Sequence, residues 1–156
     1  MATRGKFRHG ASMLIAAVLV GTTLGILTAG ASTSHVVKVE RIAHLGTVLF
    51  SERGFALYTY GRDTRNHSNC NGTCLAAWPA LTVAKGVTPT GVSGLGVIVR
   101  SNGQHQVTWH HHPLYTFTSD AKGKVTGNGV AGFHAAVLKK VTPSATTTTA
   151  TKSYGY

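Results

Sequence analysis

Acidic residues are scarce in this sequence: four Asp and Glu stand against fifteen Lys and Arg in 156 residues. The imbalance favours polyanionic surroundings such as nucleic acid, acidic lipid or an anionic cell wall. Aromatics reach only 8% and charged residues 12%, so one small core is the most that the chain can bury. Past the N-terminal apolar run, no stretch holds a 3.6-residue apolar period over three turns, which confines any helix to a short one, best placed at Thr73 to Trp78. Catalytic signatures are missing as well. There is no G-x-S-x-G, no H-E-x-x-H and no P-loop, so the chain reads as a non-enzyme. No C-x-x-C-H haem attachment signal occurs, and neither of the two cysteines lies near the N-terminal apolar run, which excludes a lipid on a mature N-terminal cysteine.

What the N-terminus does have is a positive flank, Arg4, Lys6 and Arg8, ahead of the apolar run Met13 to Ala29 and the small residues Ala29-Gly30-Ala31. That is the pattern of an export signal over residues 1–31, with cleavage near Ala31. The alternative is a retained anchor, for which about 17 interrupted apolar residues are short of the roughly 20 that a span needs. The mature chain keeps twelve Lys and Arg against four acids. Outside the cytoplasm a basic protein meets anionic wall polymer or a membrane surface, not nucleic acid. The segment 142–156 is threonine-rich and reads as a disordered tail, which leaves a single folded domain over 36–141.

Inside that domain the chain matches itself. Shifted by 57 positions, Leu57-Tyr58-Thr59-Tyr60-x-x-Asp63 lies over Leu114-Tyr115-Thr116-Phe117-x-x-Asp120, and Asn71-Gly72 over Asn128-Gly129. The two copies span about 44–84 and 95–140. Each reads as strand, turn, strand, with Thr47 to Phe50 and Phe55 to Tyr60 in the first copy. In the second, Val97 to Val99 and Gln106 to Trp109 flank the hairpin signal Asn102-Gly103. The expected fold is mainly β: two pseudo-symmetric antiparallel hairpin or meander repeats packed into one small domain, with short helical turns.

These residues resemble a known family, the secreted repeat of unknown function, whose members are described as predicted lipoproteins with a Y-x-[FWY]-x-x-D motif. Tyr58-x-Tyr60-x-x-Asp63 and Tyr115-x-Phe117-x-x-Asp120 both match it, and Cys70-x-x-x-Cys74, Trp78-Pro79 and Pro113-Leu114-Tyr115 are similar too. The resemblance implies an exported module and no particular activity. The chain departs from the family in lacking the lipid-bearing cysteine, and in placing His110-His111 where members often have a tight Asn-Gly turn.

Residues two apart on a strand share a face, so Tyr58 with Tyr60, and Tyr115 with Phe117, project one way while Leu57, Thr59, Leu114 and Thr116 project the other. The ordinary reading is that the aromatics fill the core and Asp63 and Asp120 accept backbone N–H groups in turns. Its rivals are a groove lined by the two Tyr and Asp clusters, and glycosidase-like chemistry by the paired carboxylates. Cys70 and Cys74 enclose Asn71-Gly72-Thr73 and in an oxidising compartment read as a disulfide; the rival is a thiolate metal site completed by His67. Nine histidines include the run His110-His111-His112. On a strand His110 and His112 share a face, and with His105 or His134 they are candidate ligands for copper or zinc, or for haem. No cofactor is required by the sequence. Two functions compete: a cell-envelope binding or structural module, and an extracytoplasmic metal or haem-binding redox accessory protein.

Overall fold

The computed structural model describes residues 32–139. The expected export signal and the threonine-rich tail lie outside the described residues. The order is β1 (Ser32–His35), β2 (Val37–Ile42), β3 (Gly46–Ser51), β4 (Tyr58–Tyr60), α1 (Thr73–Ala77), β5 (Thr82–Val83), β6 (Val87–Thr90), β7 (Leu95–Val99), β8 (His105–Trp109) and β9 (His112–Pro113), then β10 (Phe133–Ala135) and β11 (Val137–Lys139). A 3-10 turn over Val130–Gly132 precedes β10. The protein is mainly β with one short helix, and that helix ends where Trp78 donates its N–H to the Cys74 carbonyl.

As expected, the two repeats pack into one small domain, and they do so by sharing sheets. They exchange strands. One sheet has the order β11-β3-β2, so β3 of the first repeat, with β2 that precedes the expected start of that repeat at residue 44, is completed by the last strand of the second. The other has β5-β8-β7, with β9 on β8, so the second repeat is completed by β5 of the first. Between them β10 pairs with β4, and Tyr58 and Tyr115 exchange N–H···O bonds of 2.8 and 2.9 Å across the centre. The molecule therefore has a pseudo-twofold at the Tyr58/Tyr115 bridge. Ahead of the expected domain start, β1 pairs in parallel with β6; its Ser-Thr-Ser-His sequence has no apolar residue to mark it as a strand.

Strand register corrects the internal alignment. Arg41 faces Thr47 as Val99 faces His105, and Val39 faces Leu49 as Val97 faces Val107. The β7–β8 hairpin, turning at Asn102-Gly103, is thus the counterpart of β2–β3, with matching residues 58 apart. The first copy's β3–β4 turn corresponds instead to β8–β9, which turns at His110-His111. Its loop is one residue shorter, and this restores the 57-residue offset after it.

Apolar residues on alternate faces of these strands feed two clusters. Val48, Phe50, Ala56, Tyr58, Cys70, Trp78, Tyr115, Phe133 and Ala135 form one. Val37, Leu49, Leu57, Val107, Leu114 and Ala136 form the other. Because β3 contributes to both, Val48 to Ser51 are buried without a break, which an antiparallel strand shows only when both its faces are covered.

Candidate functional site

The duplicated motif is built across the repeats. Tyr58 Oη donates to Asp120 Oδ2 at 2.6 Å, and Tyr115 Oη donates to Asp63 Oδ2 at 2.7 Å. Each tyrosine is held by the aspartate of the other copy. The second carboxylate oxygen stays at home: Asp63 Oδ1 accepts the Asn69 N–H at 2.7 Å and Asp120 Oδ1 the Thr126 N–H at 2.8 Å, six residues on in both cases. Both tyrosines are fully buried, Asp120 is buried and Asp63 half-buried. Burial, reinforced by the Asp120 bond, raises the Tyr58 phenol above its ordinary range, and burial pushes Tyr115 up to about 12. Both phenols are therefore fixed as donors. Burial also raises the Asp63 carboxyl, against the opposing bonds from Tyr115 and Asn69 and the charge of Arg100.

Around this centre four rings stack in series. Tyr60 lies on Phe133 with centroids 4.2 Å apart, Phe133 on Trp78 at 3.9 Å, and Trp78 on Phe117 at 4.2 Å. Tyr58 meets Trp78 edge-on at 5.2 Å and Tyr115 meets Phe133 edge-on at 5.3 Å, an arrangement that suits the ring quadrupoles. Gly127 borders the stack, and a Cβ on it would lie 2.6 Å from the Trp78 ring.

The pseudo-symmetry breaks at Arg100. Its structural counterpart is Ile42, and Gln106, Thr108 and Ser68 of the same half correspond to Val48, Phe50 and Val125, all of which belong to or pack on the apolar cluster. Arg100 is 8% exposed. Its Nη1 donates to Gln106 Oε1 and, at 2.8 Å, to Ser68 Oγ. Nη2 donates to the Cys70 carbonyl at 2.5 Å and to Asn71 Oδ1 at 3.1 Å. Ser68 lies 2.6 Å from Tyr115 Oη, whose own proton goes to Asp63, so Ser68 is the donor there. Guanidinium and carboxylate are thus joined through two hydroxyls. A basic residue at the end of a strand reads as solvated, which is why Arg100 escaped the sequence reading; a 58-residue self-comparison of the strands would have exposed the exchange of Ile42, Val48 and Phe50 for Arg100, Gln106 and Thr108.

The disulfide between Cys70 and Cys74 is present, with Cα atoms 5.3 Å apart, and Cys70 lies in the core beside Trp78. The histidines are dispersed. His110 and His111 are the two loop residues of the β8–β9 hairpin, at φ 46 and 70, so His110 and His112 do not share a strand face as expected. A two-residue hairpin loop of this hand takes up those positions, and it ends strand geometry at Trp109. His111 Nε2 accepts from Arg65 Nη2 at 2.7 Å, which places its proton on Nδ1, 3.2 Å from Asn66 Oδ1. His134 lies on β10 and, with His44 and Trp109, lines an open cavity of about 550 Å³. His105 lines a different one, beside Val97 and Val99. Among the described residues no three His, Cys, Asp or Glu side chains are gathered closely enough to hold a metal ion. Nor is any helix there long and apolar enough to cross a membrane.

A family model described as a secreted repeat of unknown function matches residues 41–82 and again 96–136. The two matches are the two halves related by the pseudo-twofold. No curated protein and no solved structure matches the chain.

Proposed function

Because the chain belongs to the family of secreted repeats of unknown function, we propose that it is an exported, non-enzymatic module of the cell envelope whose rigid β scaffold engages anionic wall polymer through exposed cations. The observation that supports this reading is the engagement of every acid. Glu40 pairs with Lys38 at 2.9 Å and Glu52 with His35 at 2.5 Å, while Asp63 and Asp120 are committed to the two tyrosines. Of the ten Lys and Arg over residues 32–139, Lys38 is paired and Arg100 is buried. The other eight are exposed, with no carboxylate within 4.0 Å among the described residues. With both oxygens of each motif aspartate already accepting hydrogen bonds, neither carboxylate is poised as a general acid or base.

Three of the cations share a corner. Gly123 N–H donates to the Gly54 carbonyl at 2.9 Å, joining the turn that carries Arg53 to the turn that carries Lys122 and Lys124. The test is co-sedimentation with purified anionic wall polymer. Replacing Arg53, Lys122 and Lys124 together by Gln should weaken binding by about 3 kcal/mol at low salt, at about 1 kcal/mol per cation near an anionic surface, and added salt should weaken the native protein as well. Binding that ignores both salt and the triple replacement would reject the proposal.

A further inference from the structure

The Arg100 cluster has chemistry left over, and we infer that the small cavity beside it is a binding site for one oxyanion, a carboxylate or phosphate group. All four Nη protons of Arg100 are used by Ser68, Gln106, the Cys70 carbonyl and Asn71. Its Nε is, among the described residues, the one buried side-chain polar atom without a hydrogen-bond partner. No carboxylate of the described residues lies within 4.0 Å of the guanidinium; Asp63 feels its charge from farther off and is joined to it by hydrogen bonds through Tyr115 and Ser68. An enclosed guanidinium surrounded by neutral oxygens is short of negative charge. The pseudo-symmetric half shows that the fold does not require a cation here, since Ile42, Val48 and Val125 pack against the apolar core at the matching positions.

The cavity itself indicates the occupant. It has a volume of about 140 Å³, and beside Arg100 its lining is polar at Asn66, His67, Ser68, Asn71 and Ser101 and apolar at Ile98 and Val99. That is well below the roughly 300 to 1,000 Å³ of sites for drug-sized ligands, so it suits a single small group. The rim supplies hydroxyl and amide donors beside a permanent positive charge, which selects an acceptor and repels a metal cation. The inference is independent of the wall-polymer reading: the same chemistry admits a free ion or an anionic group carried on a larger molecule.

Titration of the full-length, isotopically labelled protein tests it, following the Arg100 Nε–H resonance and the backbone amides of Ser68, Asn71 and Ser101. Inorganic phosphate and acetate should each produce a saturable shift that chloride at matched ionic strength does not. Asn71 Oδ1 already accepts from Arg100 at 3.1 Å, so Asn71→Asp supplies an internal carboxylate and should weaken phosphate by about tenfold or more. Should that variant fail to fold, Ser101→Glu places a carboxylate at the rim with the same expected effect. Methyl phosphate binding as tightly as phosphate supports an esterified group as the source, and weaker binding of the ester supports the free ion; both outcomes uphold the site. No saturable shift with phosphate or acetate, or one undiminished in both variants, overturns it.

Discussion

The cross-repeat pairing of tyrosine and aspartate makes a prediction that a pair of self-contained hairpins would not. Tyr58 and Asp120 are 62 residues apart and joined at 2.6 Å in a buried setting. Tyr58 and Asp63 are five apart in one motif, yet Asp63 gives its two oxygens to Tyr115 and Asn69. A hydrogen bond to an ionised group contributes about 1.5 to 3 kcal/mol, with the upper part of that range expected where both partners are buried. The double-mutant cycle of Tyr58→Phe with Asp120→Ala should therefore show a coupling of about 2.5 kcal/mol. The cycle of Tyr58→Phe with Asp63→Ala should stay within about 0.5 kcal/mol, as for sites with no shared partner. The Tyr115 and Asp63 cycle should fall between the two, because Asp63 is half-exposed and Ser68 remains beside the phenol. Urea unfolding of the single and double variants, with m-values held constant, gives all three couplings. Coupling within a motif and none across motifs would refute the interleaved arrangement.

The same geometry fixes several further outcomes. Both phenols are raised in the fold from an ordinary value of about 10, so the unfolded chain releases its protons first. Their contribution is then complete below about pH 10; that of Tyr115 is lost as pH rises through about 12, and that of Tyr58, raised further, is lost at higher pH still. The loss is about 1.4 kcal/mol per unit for each tyrosine and should halve in Tyr115→Phe on alkaline denaturation. His110 and His111 occupy left-handed backbone that favours Asn and Gly, so the pair His110→Asn with His111→Gly should raise stability by about 1 to 2 kcal/mol. An unchanged unfolding midpoint would show that the Arg65 and Asn66 contacts to His111 offset the strain, and a lowered one that they outweigh it. Gly127→Ala should cost about 1 to 3 kcal/mol, since the new methyl meets the Trp78 ring and the close-packed stack has to yield. Reducing the Cys70–Cys74 bond should cost about 2 kcal/mol on the chain-entropy account of so short a loop and leave the far-ultraviolet β signal in place; loss of that signal would mean the bond holds the fold together.

Local features of this fold were legible in the sequence because local physics sets them. The Asn102-Gly103 hairpin, the short helix from Thr73 and the alternation of Leu57 and Tyr58 between two faces depend on neighbours within a few residues. The exchange of strands was not legible. Asp63 and Asp120 stand at identical spacings from their own tyrosines, and nothing in either motif says which carboxylate a tyrosine will meet. That choice is made by β10 and β11 pairing with β4 and β3, a long-range decision that buries Tyr58 and Tyr115 on one axis. The loop difference also hid the true correspondence of β3 with β8, because an ungapped shift of 57 is out of register by one residue there, enough to swap the faces of a strand.

That one-residue displacement conceals the most informative comparison in the molecule. Once β3 and β8 are superposed by their hydrogen bonds, the two halves act as controls for each other. Where they agree, as in the tyrosine and aspartate bonds, the edge-on rings and the carboxylates' bonds six residues on, the interactions serve the shared task of holding the centre together. Where they differ, folding alone does not explain the difference, since the apolar half already packs well. Arg100, Gln106 and Ser68 replace Ile42, Val48 and Val125 at the same places, and an apolar triplet is the cheaper filling for a buried site. A chain that keeps the costlier set in one half only, with a buried Nε unpartnered on an arginine that also lines a cavity of about 140 Å³, fits the oxyanion site inferred above better than a purely packing role.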